Sequence, residues 1–327
     1  MNNRLYEEIK KLEGPIVVFG AGGFIGANLL RAILKVRDDC YGVTHQKTIP
    51  WRLKHLSVGN VLCADINDSN SICQIFDKFV FKTIFNLAAY GGYSKQKEVE
   101  LIYKTNVLGV VNLLEIASKT GFAAYVHSGS SSEYGLNSAA PSEGASLIPN
   151  SHYSVSKIST SYLIQYLGNS LNLPVINLRF YSVYGPFEEP DRFIPMLLKT
   201  AEEGGYPFLV DPAISRDFVY IDDVLESLVL GATADNKIKK GCSINIATGK
   251  KTTIGEVVGI VKNMFNLKSD PVWGSMQNRS WDLKDWYGNP SYAKTILNWE
   301  AKTSLHEGLS KTITWMREYK KMGLGEV

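Results

Sequence analysis

The stretch PIVVFGAGGFIGANLLRAILKV, residues 15–36, decides the fold of this chain. Its first part is a short β-branched run, which is typical of a buried strand, and its last part has apolar residues at helical spacing. Gly20, Gly23 and Gly26 lie between the two parts. Glycines permit a tight turn and a close approach of the backbone to a pyrophosphate, and the free N–H groups of a helix N-terminus attract anions. The stretch therefore predicts a dinucleotide-binding turn, because its glycines stand between a strand and a helix.

Short apolar runs continue to alternate with helical patterns along the first half of the chain. Alternation of this kind predicts an α/β fold, a Rossmann-type doubly wound parallel sheet with helices on both faces. After about residue 185 prolines interrupt shorter elements, which predicts a smaller mixed α/β C-terminal part that binds the substrate. We expect domains at 1–185 and 186–327, with some later segments returning to the first. The further strands are predicted at 40–44, 61–65, 83–89, 124–130, 174–180 and 242–248.

Composition excludes several functional classes. The 327 residues are 45% hydrophobic and 20% charged, which is ordinary for a globular protein. The net charge of +3 is too small to indicate binding to nucleic acid or to an anionic membrane. Cys40, Cys63, Cys73 and Cys242 lack metal-ligand spacing, so we expect no bound metal. No secretory signal and no run of about 18 apolar residues is present, so we expect a cytoplasmic location and no membrane span.

Tyr153 and Lys157 are the first candidates for catalysis. They stand four residues apart in a predicted helix, so their side chains share one face. A tyrosine is a poor base at its ordinary pKa of about 10, but a nearby ammonium and a cationic nicotinamide would favour the phenolate. The pair could then take a proton from a sugar hydroxyl. This spacing is common on helix surfaces, and the glycine turn upstream is what favours the catalytic interpretation.

Seven segments downstream of the glycine turn resemble, in order, the signatures of the extended short-chain dehydrogenase/reductase family, which includes nucleotide-sugar epimerases and dehydratases. The resemblance runs from about residue 15 to about residue 315. The segments are Asp65-Ile66, Leu87-Ala88-Ala89, Asn106, GSSSEYG (129–135), YSVSK (153–157), RFYSVYGP (179–186) and RDFVYIDD (216–223).

The resemblance implies the roles of individual residues. Ser130 takes the place of the family's catalytic hydroxyl, beside Tyr153 and Lys157. Arg216 and Arg279 would hold the diphosphate, because a guanidinium can bind two phosphate oxygens at once. Cofactor-binding residues are expected at Gly20, Gly23, Phe24, Ile25, Gly26, Thr44, Asp65, Ile66, Leu87, Ala88, Ala89, Asn106, Tyr153, Lys157 and Tyr181. Substrate-binding residues are expected at Tyr90, Gly91, Ser131, Ser132, Ser182, Arg216 and Arg279.

The choice of cofactor depends on the end of the second strand. NAD-preferring members of this fold carry an acid there, which binds the ribose 2′-hydroxyl. This chain has Thr44, and nothing nearby would repel a 2′-phosphate, which Lys47 or Arg52 could bind. We therefore expect NAD or NADP, with a slight preference for NADP.

The reaction depends on the position two residues after the catalytic hydroxyl, where 4,6-dehydratases carry a glutamate. This chain has Ser132 there, and Glu133 should point to the opposite face of a strand. We therefore expect hydride transfer at sugar C4 through a 4-keto species, in an epimerase or in a 4-ketoreductase or dehydrogenase. One alternative is a dehydratase in which a bulge aims Glu133 at the sugar. The other is a non-catalytic cofactor-sensing module, which the intact Ser130, Tyr153 and Lys157 disfavour.

The substrate itself is left open by departures from the family. Ser182 replaces an asparagine that holds the sugar phosphate in many relatives, and Arg279 lies in NRSWD rather than in Arg-Pro-Gly-Asp. Trp273, Trp281 and Trp286 could stack on the base or sugar, or pack in the interior. A nucleotide-diphosphate sugar is the expected partner, with its nucleotide and sugar undetermined.

A homodimer is also implied by the resemblance. Relatives usually pair through two long helices from each subunit. In this chain those helices are expected at 101–119 and 151–170.

Overall fold

The structure is a computed structural model that describes residues 3–56, 58–234, 239–279 and 282–322. Its strands are β1 (Ile16–Phe19), β2 (Cys40–Thr44), β3 (Val61–Cys63), β4 (Thr83–Asn86), β5 (Ala124–Ser130), β6 (Val175–Phe180), β7 (Ser182–Tyr184), β8 (Ser215–Arg216), β9 (Phe218–Tyr220), β10 (Ser243–Ile246) and β11 (Thr252–Thr253). Its α-helices are α1 (Asn3–Lys11), α2 (Phe24–Leu34), α3 (Ser69–Phe76), α4 (Val99–Tyr103), α5 (Gly109–Thr120), α6 (His152–Leu171), α7 (Phe193–Glu202), α8 (Ile221–Thr233), α9 (Ile254–Phe265), α10 (Ser291–Leu297) and α11 (Leu305–Lys321).

The central sheet has seven parallel strands in the order β10-β6-β5-β4-β1-β2-β3. The predicted Rossmann-type fold is confirmed. The strand order reverses between β1 and β4, and ligands of doubly wound sheets bind in the crevice at the carboxyl ends of the strands at this point. The glycine turn follows β1, so it lies at that crevice.

Both faces of the sheet are covered, as the all-buried strand β1 requires. Ile16 and Val18 belong to one apolar cluster, in which α2 and α8 pack, and this cluster continues to Met316 in α11. Val17 and Phe19 belong to a second cluster on the opposite face, with α3 and α5. Alternate residues of a strand point to opposite faces, which is how four consecutive apolar residues contribute to two cores.

The C-terminal part adds two small sheets to the central one. β7 pairs with β9 in parallel, and β8 pairs with β11 in antiparallel orientation. β10 returns to the central sheet beside β6. The predicted domain boundary at residue 185 stays a prediction, because the larger apolar cluster includes residues from both sides of it.

The search for membrane spans and metal sites covers the described ranges only. Within them no helix is long and apolar enough to cross a membrane. Within the same ranges no group of three or more His, Cys, Asp or Glu side chains is arranged to hold a metal ion. The four cysteines are free, and only Cys40 of these four is fully buried.

Candidate active site

The glycine turn is packed so closely that two of its glycines cannot be replaced without displacing backbone. Gly20 has a φ of +77°, and a Cβ atom on it would lie 2.6 Å from the backbone nitrogen of Ala88. A Cβ atom on Gly26 would lie 2.2 Å from the carbonyl oxygen of Gly20. Gly23 caps α2 without any side-chain hydrogen bond, so no side chain competes for the first N–H groups of the helix. These are the features that a bound pyrophosphate requires.

A single cleft of about 530 Å³ extends from this turn, past the carboxyl ends of β4 and β5, into the C-terminal part. It brings together residues that are far apart in the sequence and were predicted separately. The predicted residues that line it are Gly20, Gly23, Phe24, Ile25, Gly26, Leu87, Ala89, Ser130, Ser131, Ser132, Tyr153, Lys157, Tyr181, Ser182, Arg216 and Arg279.

Three of the predicted cofactor residues lie on the other side of the glycine turn from Tyr153. Thr44 ends β2 and donates a hydrogen bond from its hydroxyl to the carbonyl oxygen of Gln46, at 3.0 Å. Asp65 and Ile66 follow β3, with Asp65 exposed and Ile66 buried. The adenosine half of a dinucleotide would extend in this direction, and contacts to these three residues stay predictions.

Catalysis was predicted at Ser130, Tyr153 and Lys157, and these residues meet in the cleft. Ser151 caps α6 by accepting a hydrogen bond from the Ser154 N–H, which places Tyr153 and Lys157 in the first two turns. The Lys157 ammonium lies 5.8 Å from the centre of the Tyr153 ring and donates to the Ser128 carbonyl oxygen at 2.8 Å. Ser130, the last residue of β5, lines the same cleft, and its side chain lowers the pKa of Tyr153.

Burial disfavours the charged form of both titratable groups. It raises the pKa of Tyr153 to about 12, while the Ser130 hydrogen bond acts in the opposite direction. It lowers the pKa of Lys157 to about 8, against the attraction of Glu133. In the protein without a bound cofactor, burial therefore outweighs the nearby positive charge, and the predicted combined effect of the ammonium and a cationic nicotinamide on the pKa of Tyr153 stays a prediction. Further positive charge in the cleft is needed to produce the phenolate.

Glu133 points away from the cleft. Its side chain is buried, with one carboxylate oxygen 2.6 Å from Nε of Arg179 and the other accepting a hydrogen bond from the Ser130 N–H at 3.0 Å. Residues 131–133 form a 3-10 turn, in which the Ser130 and Glu133 side chains cap each other's backbone. The predicted orientation of Glu133 is confirmed, but a helical turn rather than strand alternation produces it. The contacts disfavour Glu133 as the acid of a dehydratase.

Trp286 connects the serine turn to the predicted diphosphate site. Its indole N–H donates to the Ser131 hydroxyl at 3.0 Å, and the Arg216 guanidinium lies 4.8 Å from the centre of its ring. Arg216 also pairs with Asp282 at 2.5 Å, and the Arg279 N–H donates to the same carboxylate at 2.9 Å.

The structure describes only one of the other two tryptophans. Trp273 packs against the larger apolar cluster, and Trp281 lies outside the described residues.

A family model described as the NAD dependent epimerase/dehydratase family matches residues 16–247, the span from β1 to the end of β10. The chain belongs to this family.

Curated and solved relatives in this family extend over nearly the whole chain. The UDP-glucuronate 4-epimerase of Thermodesulfobacterium geofontis (strain OPF15) is 28% identical over 321 residues, which cover 93% of this chain and 97% of that protein. The UDP-glucose 4-epimerase of Thermotoga maritima, solved with UDP-glucose, has a TM-score of 0.82 and 26% identity, and covers 93% and 99% of the two chains. The UDP-glucuronic acid 4-epimerase of Bacillus cereus, solved with UDP-glucuronic acid and NAD, has a TM-score of 0.81, 25% identity and the same coverages.

The predicted class is thereby confirmed: the protein is a nucleotide-sugar-modifying oxidoreductase of the NAD type, acting by hydride transfer at sugar C4. The family signatures carried the prediction of the cleft, and some of the residues that they named do not line it.

Asn106 is one such residue, because it contacts a loop of the protein rather than the cleft. It is buried in a π-helical turn between α4 and α5. Its side chain accepts from the Tyr90 N–H and donates to the Tyr90 carbonyl oxygen, both at 2.8 Å, and it donates to the Ser156 hydroxyl at 2.9 Å. These contacts use both amide hydrogens and one lone pair of the amide oxygen on protein atoms. We therefore reassign Asn106 from cofactor contact to positioning the loop at 90–96.

Tyr90 and Gly91, which were predicted to bind the substrate, are also absent from the lining of the cleft. The Tyr90 hydroxyl is hydrogen-bonded to Glu98, outside the cleft. Gly91 has a φ of +92° and packs against Ile102. The next residues of the same loop, 92–94, line the cleft instead.

Arg52 is not available for a cofactor phosphate. Its side chain is buried, donates to the Phe187 carbonyl oxygen at 2.7 Å and forms an ion pair with Glu189. Because it holds the 187–189 segment, the role suggested for Arg52 at a 2′-phosphate is wrong. Lys47, the other candidate, is exposed.

Glu188 and Arg192 also line the cleft, and the sequence patterns did not predict them. Arg192 lies 5.4 Å from the centre of the Tyr93 ring, and its Nε atom lies 3.7 Å from the Glu188 carboxylate. The signal that could have found Glu188 and Arg192 is the charged run EEPDR at 188–192, directly after the YGPF run at 184–187.

Proposed function

We propose that this protein is a nucleotide-sugar 4-epimerase that retains one NAD⁺ through its catalytic cycle. The observation that carries the proposal is the meeting of Ser130, Tyr153 and Lys157 in the same cleft as the glycine turn. The position of the dehydratase acid is occupied by Ser132, and Glu133 is held by Arg179. This arrangement supports reversible oxidation at C4 without loss of water.

The roles of the catalytic residues follow from their contacts. Tyr153 takes the proton of the C4 hydroxyl and later returns it, while Ser130 holds the reacting oxygen toward Tyr153. Lys157, fixed by the Ser128 carbonyl oxygen, places positive charge beside the Tyr153 ring and favours the phenolate. Bound NAD⁺ supplies the reversible oxidation, so that a 4-keto sugar forms and is reduced again from its opposite face.

NAD rather than NADP is supported by the end of β2. Thr44 is buried and its hydroxyl is engaged by the Gln46 carbonyl oxygen. Arg52 is engaged by Glu189 and Phe187. A site for a 2′-phosphate would therefore depend on the exposed Lys47. The Bacillus cereus relative was solved with NAD.

A homodimer is supported by one face of the helices predicted to form it. Val155, Tyr162 and Tyr166 are exposed and fall on one face of α6, and the two tyrosines are 58% and 55% exposed. Leu108, which precedes α5, adds a further exposed apolar side chain. Apolar groups of this number on one face are typical of a protein–protein contact.

The experiment is to incubate the purified protein with UDP-glucose and, separately, with UDP-glucuronate, without added cofactor, and to identify the products by NMR. The expected result is the 4-epimer of one of these sugars at unchanged mass. Loss of water would identify a dehydratase, and stoichiometric consumption of added NADH or NADPH would identify a reductase; either result would overturn the proposal. Tyr153→Phe is the control for adventitious activity.

A further inference from the structure

Trp286 contacts both the predicted diphosphate site and the turn that follows the catalytic serine, and none of the catalytic roles above uses it. Its side chain is half-buried and lines the cleft. The indole N–H donates to the Ser131 hydroxyl at 3.0 Å, and the Arg216 guanidinium lies 4.8 Å from the centre of the ring. One side chain therefore contacts a residue from each end of the substrate part of the cleft.

The backbone of Trp286 is fixed to the strand that carries Arg216. Ser215, which precedes Arg216 in β8, is fully buried. Its hydroxyl accepts a hydrogen bond from the Trp286 backbone N–H at 3.0 Å and donates one to the Lys284 carbonyl oxygen at 2.7 Å. Asp282, four residues before Trp286, pairs with the Arg216 guanidinium at 2.5 Å. These contacts hold the Trp286 ring and the Arg216 guanidinium in a fixed relation.

The serine turn connects the contact at Ser131 to the hydroxyl of the catalytic serine. The Ser130 hydroxyl oxygen accepts a hydrogen bond from the Ser132 N–H at 3.1 Å, within the 3-10 turn at 131–133. Ser131 is buried between these two residues, so the same turn sets its position and that of the Ser130 hydroxyl. The Ser130 side chain acts in turn on Tyr153, whose pKa it lowers. A contact that holds Ser131 therefore also holds the Ser130 hydroxyl.

We propose that Trp286 is a positioning residue that couples the Arg216 guanidinium to the serine turn, so that binding of the substrate diphosphate fixes the Ser130 hydroxyl beside the sugar. The inference rests on the proposed function only for hydride transfer at C4. Interactions with a remote part of a substrate accelerate a reaction when they orient the reacting groups. The indole N–H provides the link to the turn, and the face of the ring provides the link to Arg216.

The test removes the link to the turn from either side. Trp286→Phe keeps an aromatic ring beside Arg216 and removes the N–H donor, while Ser131→Ala removes the acceptor. The rate of hydride transfer is measured in a single turnover, from the absorbance of the reduced nicotinamide after mixing with UDP-glucose or UDP-glucuronate. The Kd of UDP is measured by calorimetry. We expect Trp286→Phe to lower the rate by about 3- to 10-fold, the range for one lost hydrogen bond, with the Kd of UDP unchanged.

The double variant Trp286→Phe/Ser131→Ala should be no slower than Ser131→Ala alone, because both changes remove the same hydrogen bond. Trp286→Leu also removes the ring beside Arg216, so it should in addition raise the Kd of UDP by about 2- to 5-fold. Trp299→Phe is the matched control, because the Trp299 indole N–H donates to the Asp223 carbonyl oxygen at 2.8 Å in the core. It should lower the Tm and leave the rate of hydride transfer unchanged.

Three results would overturn the inference. One is a loss of rate in the double variant equal to the product of the two single losses, which would show that Trp286 and Ser131 act independently. Another is a raised Kd of UDP in Trp286→Phe at an unchanged rate, which would make Trp286 a binding residue. The third is an equal loss of rate in Trp299→Phe. A product that has lost water would overturn the proposed epimerase function and leave this inference standing, because hydride transfer at C4 precedes either product.

Discussion

At Tyr153 and Lys157, burial disfavours the charged forms of the side chains that catalysis requires. Burial raises the pKa of Tyr153 to about 12 and lowers the pKa of Lys157 to about 8, so both shifts favour uncharged side chains. The tyrosine becomes a base only when positive charge is brought close to it. The Lys157 ammonium and the Arg192 guanidinium are the protein's own sources of that charge.

Replacing Tyr153 by phenylalanine removes the base and leaves the ring packing in place. We expect kcat to fall by about 10²- to 10⁴-fold, the usual contribution of a general acid–base group, with little change in nucleotide-sugar Kd. Steady-state kinetics and calorimetry on the same preparation measure the two effects. A variant that keeps more than half of the kcat would exclude Tyr153 as the base.

Glu188→Gln tests the buried carboxyl group through stability. The folded-state pKa of Glu188 is raised from 4.5 to about 8, mainly by burial and against the opposing effects of Arg192, Arg52 and the Gly185 N–H. Tyr93 and Tyr184 are the titratable side chains that also face it. The unfolded chain gives up this proton first, so the protein loses stability as pH rises from about 5 to about 8. The Glu188→Gln variant has no carboxyl group at this position, so its stability lacks this dependence on pH.

We therefore expect the Tm of Glu188→Gln to rise relative to that of the unsubstituted protein across this interval, and the difference to be constant above it. A difference in Tm that is independent of pH would contradict the raised pKa.

At the scale of elements, periodicity predicted the strands well, but it could not predict what the ends of those strands do. The run at 83–89 was expected as one strand, yet β4 ends at Asn86 and the alanines turn along the glycine loop. The π-helical turn at 104–108 depends on the contacts of Asn106 with Tyr90, which no local pattern encodes. The 3-10 turn at 131–133 likewise includes Glu133, whose carboxylate contacts Arg179 and the Ser130 N–H, and no local pattern encodes the contact with Arg179.

Glu133→Gln tests that 3-10 turn. Breaking a buried ion pair by removing one partner costs about 3–5 kcal/mol, because the remaining Arg179 charge stays buried. We expect the free energy of unfolding in urea to fall by this order, while Glu202→Gln, in an exposed pair with Arg317, should cost less than about 1 kcal/mol. If the unsubstituted protein removes water from the substrate, and Glu133→Gln folds normally but no longer does so, Glu133 is a dehydratase acid.

Gly26→Ala tests the packing of the glycine turn. The new methyl group would lie 2.2 Å from the Gly20 carbonyl oxygen, so the start of α2 must move and the site for the pyrophosphate is deformed. We expect loss of co-purified NAD and a lower Tm. Gly259→Ala in α9 is the control, because its methyl group meets no atom within 4 Å and should stabilise the helix by roughly 0.5–1 kcal/mol. Normal NAD content in Gly26→Ala would contradict the assignment of the turn.

At the scale of the whole molecule, the sheet order and the position of the cleft follow from the strand–helix alternation that the sequence displays. The contacts across the cleft do not, because they join segments that only the tertiary fold brings together. Trp286 and Ser131 are 155 positions apart, and Arg52 reaches Glu189 over 137 positions. This is why the sequence left the role of Trp286 open between ligand stacking and interior packing, and offered Arg52 as a candidate for a phosphate contact.

In the proposed reaction, hydrogen leaves C4 and returns to the same carbon within one protein molecule. The most direct measurement uses UDP-glucose or UDP-glucuronate labelled with deuterium at C4, incubated without added cofactor. We predict a 4-epimer that keeps the deuterium at C4 and an unchanged total of bound NAD. Deuterium found in free NADH or NADPH, or a product that has lost water, would contradict the proposed epimerase reaction.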